Sequence, residues 1–267
     1  MYDDEVKVRA QQTLGPETFL LTLEGREIAR AARPGQFVML CPSSAPDPLL
    51  RRPMSFCNVG LSERPQTGTD EFQILYHVVG TGTKHLSRIT TADSLFCLGP
   101  LGRGFRLPEA GSGTALLVAG GIGIAPFPFL VEALSKAGAS WQLIYGARSS
   151  DLLIGREWFR GLGKDPKIVT EDGSSGERGL VTGPLGKALE SAGPGVQVYA
   201  CGPDPMLRAV ARICAERRAK CQVSLEGIMP CGFGVCLGCS VPAAGKQAGF
   251  LRICTEGPVF DREEIGW

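Results

Sequence analysis

Long apolar runs, a secretory signal and an excess of one charge are all missing from this sequence. No stretch approaches the roughly 18 apolar residues that a membrane-spanning helix needs. The acidic N-terminus, Met1–Glu5, lacks the apolar core of a signal peptide. The formal net charge is only +1, which leaves no basic excess to attract nucleic acid or an anionic membrane. We therefore expect a cytoplasmic protein with no nucleic-acid or membrane partner.

The size and the cysteine content limit the architecture. A chain of 267 residues, 43% of them hydrophobic, is long enough for two ordinary domains and a small appendage. Ten cysteines without a signal peptide indicate a reducing compartment, in which thiols serve metal binding or packing. The 36 glycines and 19 prolines predict many tight turns and several places where a ligand approaches the backbone.

Four cysteines near the C-terminus have the spacing C-x4-C-x2-C-x14-C: Cys231, Cys236, Cys239 and Cys254. The first three match the plant-type spacing for a [2Fe–2S] cluster held by four thiolates. Glycines lie between these cysteines, and they allow a tight loop that turns its backbone N–H groups toward sulfur. The spacing therefore favours a [2Fe–2S] cluster.

Two other interpretations of the four cysteines are weaker. A structural zinc site more often uses two separated C-x2-4-C pairs. A disulfide framework is typical of short secreted chains, and this chain is long and has no signal. A cluster of this kind carries one electron, so the rest of the chain should contain the source or the destination of that electron.

The first third of the chain, from Val6 to Phe105, consists of short alternating runs separated by glycine and proline. This pattern predicts a small antiparallel barrel. Within it, Gly80-Thr-Gly-Thr83 directly precedes a helical pattern. Free N–H groups, a hydroxyl and the positive end of a helix dipole form an anion site there, and a flavin pyrophosphate would fit it.

The middle of the chain alternates between apolar strands and amphipathic helices. Thr114–Ala119 is a continuous apolar run, followed by Gly120-Gly-Ile-Gly-Ile-Ala-Pro126 and a helical pattern from Phe127 to Ala137. Further strand–helix units follow, so we predict a doubly wound parallel sheet with ligands at the carboxyl ends of its strands. The glycine turn differs from G-x-G-x-x-G because Pro126 stands where the third glycine would be.

Four motifs resemble the flavin domain of the ferredoxin–NADP reductase superfamily: Pro34-Gly-Gln-Phe-Val38, Arg52-Pro-Met-Ser55, Gly80-Thr-Gly-Thr83 and Gly99-Pro-Leu-Gly-Arg-Gly-Phe105. The resemblance implies that FAD is bound by Arg52, Pro53, Met54, Ser55, Leu75, Tyr76, His77, Gly82 and Thr83. It places Ser55 near flavin N5, Arg52 at the pyrophosphate and Gly82 with Thr83 at the phosphate. Taken alone, a strand histidine such as His77 is more often a hydrogen-bonded packing residue than an acid–base catalyst.

Three further motifs resemble the nicotinamide dinucleotide site of the same superfamily: Gly120-Gly-x-Gly-x-Ala-Pro126, Tyr145-Gly-Ala-Arg148 and Cys201-Gly-Pro-x-Pro-Met206. The implied NAD contacts are Gly120, Gly121, Gly123, Ala125, Pro126, Arg148, Cys201, Gly202, Pro203 and Met206. Cys201 would lie beside the nicotinamide ring, although a cysteine after a buried strand is commonly a small packing residue. The carboxylates of Glu171 and Asp172 would repel a 2′-phosphate, which favours NAD over NADP.

Over essentially its whole length, the chain resembles the electron-transfer subunits of class 1B dihydroorotate dehydrogenase. The cluster motif followed by Glu256-Gly-Pro-Val-Phe-Asp261 carries this resemblance most specifically. It implies an oxidoreductase subunit of pyrimidine biosynthesis that passes electrons from an FMN-containing dihydroorotate-oxidising catalytic subunit through [2Fe–2S] and FAD to NAD, in a heterotetramer. The polar loop Leu61–Asp70 departs from the family pattern.

The predicted fold class is β plus α/β, in three parts. Residues 1–108 form an FAD-binding β-barrel, 109–222 an NAD-binding α/β domain and 223–267 a [2Fe–2S] module. Hydride transfer between nicotinamide and flavin needs alignment and no side-chain acid or base, so no catalytic residue is assigned. The apolar side chains near the cysteines, Phe233, Val235 and Leu237, are candidates for an interface with a partner.

Two alternative functions remain at this point. The first is an NAD(P)H-dependent flavin and [2Fe–2S] reductase subunit that serves another acceptor, of the oxygenase, hydrogenase or glutamate synthase type. The second is a zinc-stabilised nucleotide-binding regulator without redox chemistry. The first alternative uses the same three cofactor sites, whereas the second predicts a colourless protein.

Overall fold

The computed structural model describes residues 1–41, 50–59, 70–109, 113–162, 164–193, 195–245 and 249–267. Within these ranges, six strands form a closed antiparallel barrel in the order β1-β2-β5-β4-β3-β6. Their bounds are β1 Tyr2–Gly15, β2 Thr18–Glu24, β3 Phe37–Leu40, β4 Arg52–Val59, β5 Glu71–His77 and β6 Ser94–Leu101. Two short helices accompany the barrel, α1 Arg26–Ala31 and α2 Thr81–Leu86. The structure confirms the predicted barrel, and most of the polar loop 61–70 lies outside the described residues.

Strand β5 shows how the barrel divides its side chains between two environments. Phe72, Ile74 and Tyr76 are buried and belong to the hydrophobic cluster inside the barrel. Leu75 is also buried, but it packs in the core of the next domain. Successive side chains of a strand point to opposite faces, so His77, two positions after Leu75, lies on the face that the barrel turns toward that domain.

The second domain is built on a sheet with the order β10-β9-β8-β7-β11-β12-β15 in the described residues. Its strands are β7 Ala115–Gly120, β8 Trp141–Ala147, β9 Lys167–Thr170, β10 Glu177–Arg178, β11 Gln197–Cys201, β12 Lys220–Ser224 and β15 Val259–Asp261. All neighbouring pairs are parallel except β12 with β15. The helices are α3 Phe127–Lys136, α4 Arg156–Arg160, α5 Thr182–Ser191 and α6 Asp204–Glu216.

Alternate residues of β7 face different helices, which confirms the doubly wound arrangement. Leu117 belongs to one buried cluster together with Leu130 of α3. Leu116 belongs to the opposite cluster together with Leu185 of α5 and Leu207 of α6. Both faces of the sheet are therefore covered by helices, as expected for a continuous apolar strand.

The C-terminal part is inserted between two neighbouring strands of the sheet. After β12 the chain forms the cluster loop and a hairpin, β13 Ser240–Pro242 with β14 Phe250–Arg252, and then returns as β15. Leu225 N donates to Pro258 O at 2.9 Å, so the two ends of the insertion lie side by side. Strand β12, Lys220–Ser224, has its last four residues all buried in the sheet. Strand β12 therefore crosses the predicted boundary at 222/223, and the three-part division stays a prediction.

Polar contacts join the barrel to the sheet and to the C-terminal tail. Arg106 O accepts hydrogen bonds from the Tyr199 hydroxyl at 2.9 Å and from Gln222 Nε2 at 3.0 Å. The tail adds two ion pairs, Arg103 with Glu264 at 2.6 Å and Arg106 with Asp261. The barrel is therefore fixed against the sheet on the side where β12 and β15 lie. No helix in the described part of the chain is long and apolar enough to cross a membrane.

Candidate functional site

A cavity of about 660 Å³ lies between the barrel and the carboxyl ends of the parallel strands. The barrel contributes Thr18, His77 and Val79. The parallel strands contribute residues at or just after their carboxyl ends, among them Gly120, Arg148, Glu171, Gly202 and Glu226. This edge of the sheet is where an open α/β fold binds its ligands. The topology therefore collects residues from distant parts of the sequence around one cavity.

Seven of the predicted cofactor residues line this cavity: His77, Gly120, Gly121, Arg148, Gly202, Pro203 and Met206. His77 is held by a hydrogen bond between its Nδ1 and Thr18 Oγ1 at 2.9 Å. The Thr18 hydroxyl donates to Pro16 O at 3.0 Å, so it accepts from the imidazole. In the neutral ring this leaves Nε2 unprotonated. The His77 side chain is therefore fixed by a hydrogen bond, as expected for a packing residue, and it also lines the cavity.

The predicted flavin phosphate residues come together at the start of α2. A Cβ on Gly82 would lie 2.4 Å from Arg52 Nε, so the guanidinium rests directly on the Gly82 backbone. The Thr83 hydroxyl accepts from Val79 N at 2.9 Å and from Gly80 N at 3.1 Å, and donates to Gly80 O at 3.0 Å. The Thr83 side chain therefore shapes the turn, and an anion at this place would meet the guanidinium and backbone N–H groups. This cradle, which only glycine leaves open, fits the pyrophosphate of FAD.

The remaining predicted flavin residues lie on β4 and β5. Met54 is buried inside the barrel, whereas Pro53 and Ser55 are half-buried. Tyr76 points into the barrel: its hydroxyl donates to Gln11 Oε1 at 3.0 Å and its ring stacks on Phe19. Burial raises the pKa of Tyr76. Pro53 and Ser55 are therefore the two residues of this set whose side chains are available to a ligand.

The glycines after β7 allow the turns of two strands to meet. A Cβ on Gly123 would lie 2.3 Å from Cys201 O, and one on Gly120 would lie 2.6 Å from Met206 Sδ. Pro126 is the N-cap residue of α3, and proline is well suited to the beginning of a helix. This explains the missing third glycine of the fingerprint. Gly123, Ala125 and Pro126, which were predicted to contact NAD, are buried and do not line the cavity.

Glu226 is a cavity residue that the sequence-based site assignment missed. It follows β12 and is exposed, but the surface that it exposes faces the cavity. Burial of the carboxylate among the cavity walls raises its pKa. Cys201 lies beside it, is 3% exposed and does not line the cavity; burial and, less strongly, Glu226 raise its pKa. The signal that could have found Glu226 is its position, an acid at the carboxyl end of the last parallel strand.

Two neighbouring carboxylates after β9 have different surroundings. Glu171 lines the cavity together with Arg148. Asp172 accepts hydrogen bonds from Ser174 Oγ at 2.6 Å and from Ser174 N at 2.9 Å, and these bonds lower its pKa. Asp172 therefore holds the loop, and Glu171 is the carboxylate that a bound nucleotide would meet.

The cluster loop is shaped by residues with positive φ: Gly232 at 83°, Gly234 at 88° and Leu237 at 58°. A Cβ on Gly232 would lie 2.4 Å from Met39 Cγ, so the loop packs directly on strand β3 of the barrel. Met39 is paired in register with Pro53 of the predicted flavin segment. The loop is therefore one strand away from that segment.

The four cysteines form two pairs. Cys239 Sγ and Cys254 Sγ are 3.3 Å apart. Although burial opposes it, hydrogen bonds from the backbone of Cys236, Phe233 and Val235 and from the Cys236 thiol lower the pKa of Cys231 to about 6. Backbone N–H groups thus point at the sulfur and stabilise the thiolate form, which is the form that binds iron.

This pairing fits a binuclear cluster better than a single ion. A structural zinc needs four ligands around one centre, whereas the four thiolates of a [2Fe–2S] cluster are shared between two irons. The paired thiols, Cys231 with Cys236 and Cys239 with Cys254, match the second requirement.

Two protein-family models match the chain. The iron-sulfur cluster binding domain of dihydroorotate dehydrogenase B matches residues 226–266, and the oxidoreductase NAD-binding domain matches residues 117–212. Among solved structures, that of an NADH-dependent reduced ferredoxin-NADP oxidoreductase is similar with a TM-score of 0.83 at 28% identity, covering 98% of this chain and 90% of that chain. The ferredoxin reductase in carbazole 1,9a-dioxygenase has a TM-score of 0.67 at 20% identity, covering 82% and 66%, which shows the fold alone.

Relatives are similar over nearly the whole chain. The dihydroorotate dehydrogenase B (NAD(+)) electron transfer subunit of Bacillus caldolyticus is 36% identical over 264 residues, 98% of each chain. That of Bacillus mycoides is 37% identical over 259 residues, 96% of this chain and 95% of the relative. The chain therefore belongs to the family of dihydroorotate dehydrogenase B (NAD(+)) electron transfer subunits.

Proposed function

We propose that the chain is the electron-transfer subunit of an NAD-linked dihydroorotate dehydrogenase in pyrimidine biosynthesis. The observation that carries this proposal is the contact between the cluster loop and the barrel. Gly232 lies on Met39, which pairs with Pro53 of the flavin segment, while the nucleotide cavity opens beside the same barrel. Three sites are thus arranged in series within one chain.

The chain binds and orients its cofactors without supplying an acid or base. FAD, when bound, can exchange a hydride with NAD and single electrons with a [2Fe–2S] cluster. Arg52 and the Gly82 backbone would hold the FAD pyrophosphate, and Arg148 the charged part of NAD. The turns at Gly120 and Gly202 let the nicotinamide end approach the barrel. Cys231, Cys236, Cys239 and Cys254 would hold the cluster.

Dihydroorotate oxidation belongs to a partner in this proposal. The relatives are described as electron transfer subunits of dihydroorotate dehydrogenase B, which supports a catalytic subunit as the partner. We propose, as the sequence resemblance implies, that this partner contains FMN and forms a heterotetramer with the chain. The cluster loop exposes apolar side chains, with Phe233 47%, Val235 73% and Leu237 62% exposed, and Phe250 of the neighbouring hairpin 75%. Such a concentration of exposed apolar side chains is typical of a protein interface. We place the partner on this surface.

We also place the protein in the cytoplasm. None of the ten cysteines, each of which lies in the described residues, forms a disulfide. A reducing compartment keeps thiols in this state and supports cluster assembly.

The test is an anaerobic visible absorption spectrum of the purified chain before and after NADH is added. The proposal expects flavin bands and a broad iron–sulfur shoulder that both bleach. Addition of the FMN-containing catalytic subunit should then give dihydroorotate-dependent reduction of NAD, which neither chain alone supports. A colourless zinc protein would overturn the redox function. Bleaching without coupling to dihydroorotate would favour a reductase with another acceptor, and dihydroorotate oxidation by the single chain would overturn the role of the partner.

A further inference from the structure

Arg252, at the end of β14, connects the cluster loop to the segment that follows the last cysteine. Its Nη1 donates to Gly234 O at 3.1 Å. Its Nη2 and Nε donate to the two carboxylate oxygens of Glu256 at 2.5 and 3.1 Å, and its backbone N donates to the same carboxylate at 2.6 Å. A bidentate pair of this kind fixes the plane of the guanidinium. Arg252 is therefore held in one orientation with one N–H group on the cluster loop.

The contact reaches the middle of that loop. Gly234 lies between Cys231 and Cys236 and has a φ of 88°. A Cβ on Gly234 would lie 2.8 Å from Thr255 Cγ2 and 3.2 Å from Arg252 Nη1. The loop therefore rests on Arg252 and on the residue after Cys254, and the arginine joins the segments that carry both cysteine pairs.

The charge of the guanidinium is close to the thiols. Arg252 lies two residues before Cys254 in the sequence, and its Nη1 lies on the loop between Cys231 and Cys236. The backbone N of the next residue, Ile253, donates to Cys239 O at 3.1 Å. Among the described residues near the pair, Glu256 is the carboxylate that faces the guanidinium. Its side chain lies on the opposite side from the Gly234 contact, so the positive end of the pair is directed at the loop.

We propose that Arg252 positions the cluster loop and that its charge, directed by Glu256, raises the reduction potential of the cluster. The inference rests on the proposed function, because it requires a [2Fe–2S] cluster on the four cysteines. Reduction adds one negative charge to the cluster, and a fixed cation nearby favours the reduced form. The side chains of Arg252 and Glu256 are 38% and 34% exposed, so solvent and salt screen part of this effect.

The experiment is a potentiometric titration of the complete chain, loaded with FAD and cluster, followed by electron paramagnetic resonance of the reduced cluster. Arg252→Gln removes the charge, and we expect the ratio of reduced to oxidised cluster at a fixed potential to fall about threefold to tenfold. A tenfold change corresponds to about 59 mV for one electron. Glu256→Gln removes the opposing charge but keeps an amide oxygen that accepts a hydrogen bond from the guanidinium, so the ratio should move upward. Arg252→Lys keeps the charge and should stay within about twofold of wild type, but should lose its cluster faster to a chelator.

Arg160→Gln is the matched control, because Arg160 makes an exposed ion pair with Asp165 on the nucleotide domain. It should leave both the potential and the cluster lifetime unchanged. Shifts of Arg252→Gln and Glu256→Gln in the same direction would show loop distortion and overturn the electrostatic role. An unchanged potential in Arg252→Gln would overturn it as well, with the proposed function intact. A wild-type chain without the signal of a reduced [2Fe–2S] cluster would overturn the proposed function itself and the inference with it.

Discussion

The cluster loop and the nucleotide cavity are built in opposite ways. The loop takes three of its four cysteines from one short segment, and backbone conformation at Gly232 and Gly234 sets its shape. The cavity takes its walls from residues as far apart in sequence as Thr18 and Glu226, and the strand order brings them together. The loop therefore depends on local sequence, and the cavity depends on topology. Substitutions should reveal this difference. One substitution in the cluster loop should remove most of the cluster, whereas one substitution in the cavity should only weaken nucleotide binding.

The largest effect is expected from Cys239→Ser. The substitution removes one thiolate of the pair Cys239 and Cys254, which are 3.3 Å apart. A serine hydroxyl loses its proton far less readily than a thiol and therefore replaces a thiolate poorly as an iron ligand. We expect loss of most of the cluster with flavin retained, because the cradle of Arg52 and Gly82 lies on another element. Iron content and the visible spectrum measure both. Cys97→Ala, at a buried barrel cysteine, is the control and should keep both cofactors; loss of flavin together with iron in Cys239→Ser would show that the two sites are not independent.

The next effect concerns the cavity framework, at Gly123. A Cβ there would lie 2.3 Å from Cys201 O and 2.5 Å from Cys201 C, which are backbone atoms. Gly123→Ala should lower the free energy of unfolding by about 1–3 kcal/mol through overpacking and should weaken NADH binding. Urea denaturation and a binding titration measure these effects. Gly186→Ala, on helix α5 with no atom within 4 Å of the new Cβ, should instead stabilise the chain by about 0.5–1 kcal/mol; equal losses in both variants would contradict the contact argument.

A smaller effect is expected at the carboxylates after β9. Glu171 lines the cavity, whereas Asp172 is bound by Ser174. Glu171→Gln removes a charge that repels a 2′-phosphate, so the ratio of kcat/KM for NADH to that for NADPH should fall about tenfold. Asp172→Asn should change this ratio less. The measurement is steady-state reduction of ferricyanide with each nucleotide, and a larger change in Asp172→Asn would assign the selectivity to the other carboxylate.

The smallest effect is a pH dependence of stability at Glu226. Its pKa in the folded chain is raised by burial, so the folded state holds the proton more tightly than the unfolded state does. Stability is therefore lost as pH rises from the ordinary glutamate range to the raised pKa. Glu226→Gln should be more stable than wild type at pH 8, by less than about 1 kcal/mol because the carboxylate faces the open cavity, and no more stable at pH 4. Urea denaturation at the two pH values is the measurement, and an advantage that is larger at pH 4 would have the wrong sign.

The sequence predicted the architecture well, for physical reasons, and the four cluster cysteines stay a prediction. Alternating runs and glycine turns specify a barrel, and the continuous apolar run Thr114–Ala119 specifies a central parallel strand, observed at Ala115–Gly120. The cysteine spacing is local, and the structure shows how it forms two thiol pairs. The positions of α3 and of the strand–turn–helix unit agree with the prediction for the same reason, since local patterns determine them.

Other features depend on packing that no local pattern contains. Thr83 lies at the predicted anion site, but its hydroxyl is used within the turn. Tyr76 turns inside the barrel while its neighbour His77 faces the cavity, which requires knowledge of which strand face meets the second domain. Glu226 was missed because its place in the cavity depends on the strand order. Strand β15 was missed because it pairs with β12, from which the whole cluster segment separates it in sequence.

Strands β12 and β15 are adjacent and antiparallel, with Ser224 opposite Val259, and Leu225 and Pro258 are hydrogen-bonded at the exit. The two ends of the iron–sulfur segment therefore lie side by side, so the segment is an insertion that can be exchanged as a unit. Replacing it by a tight turn would leave the sheet connected. Transferring it onto an equivalent strand pair of another flavin reductase would add a one-electron carrier to that enzyme.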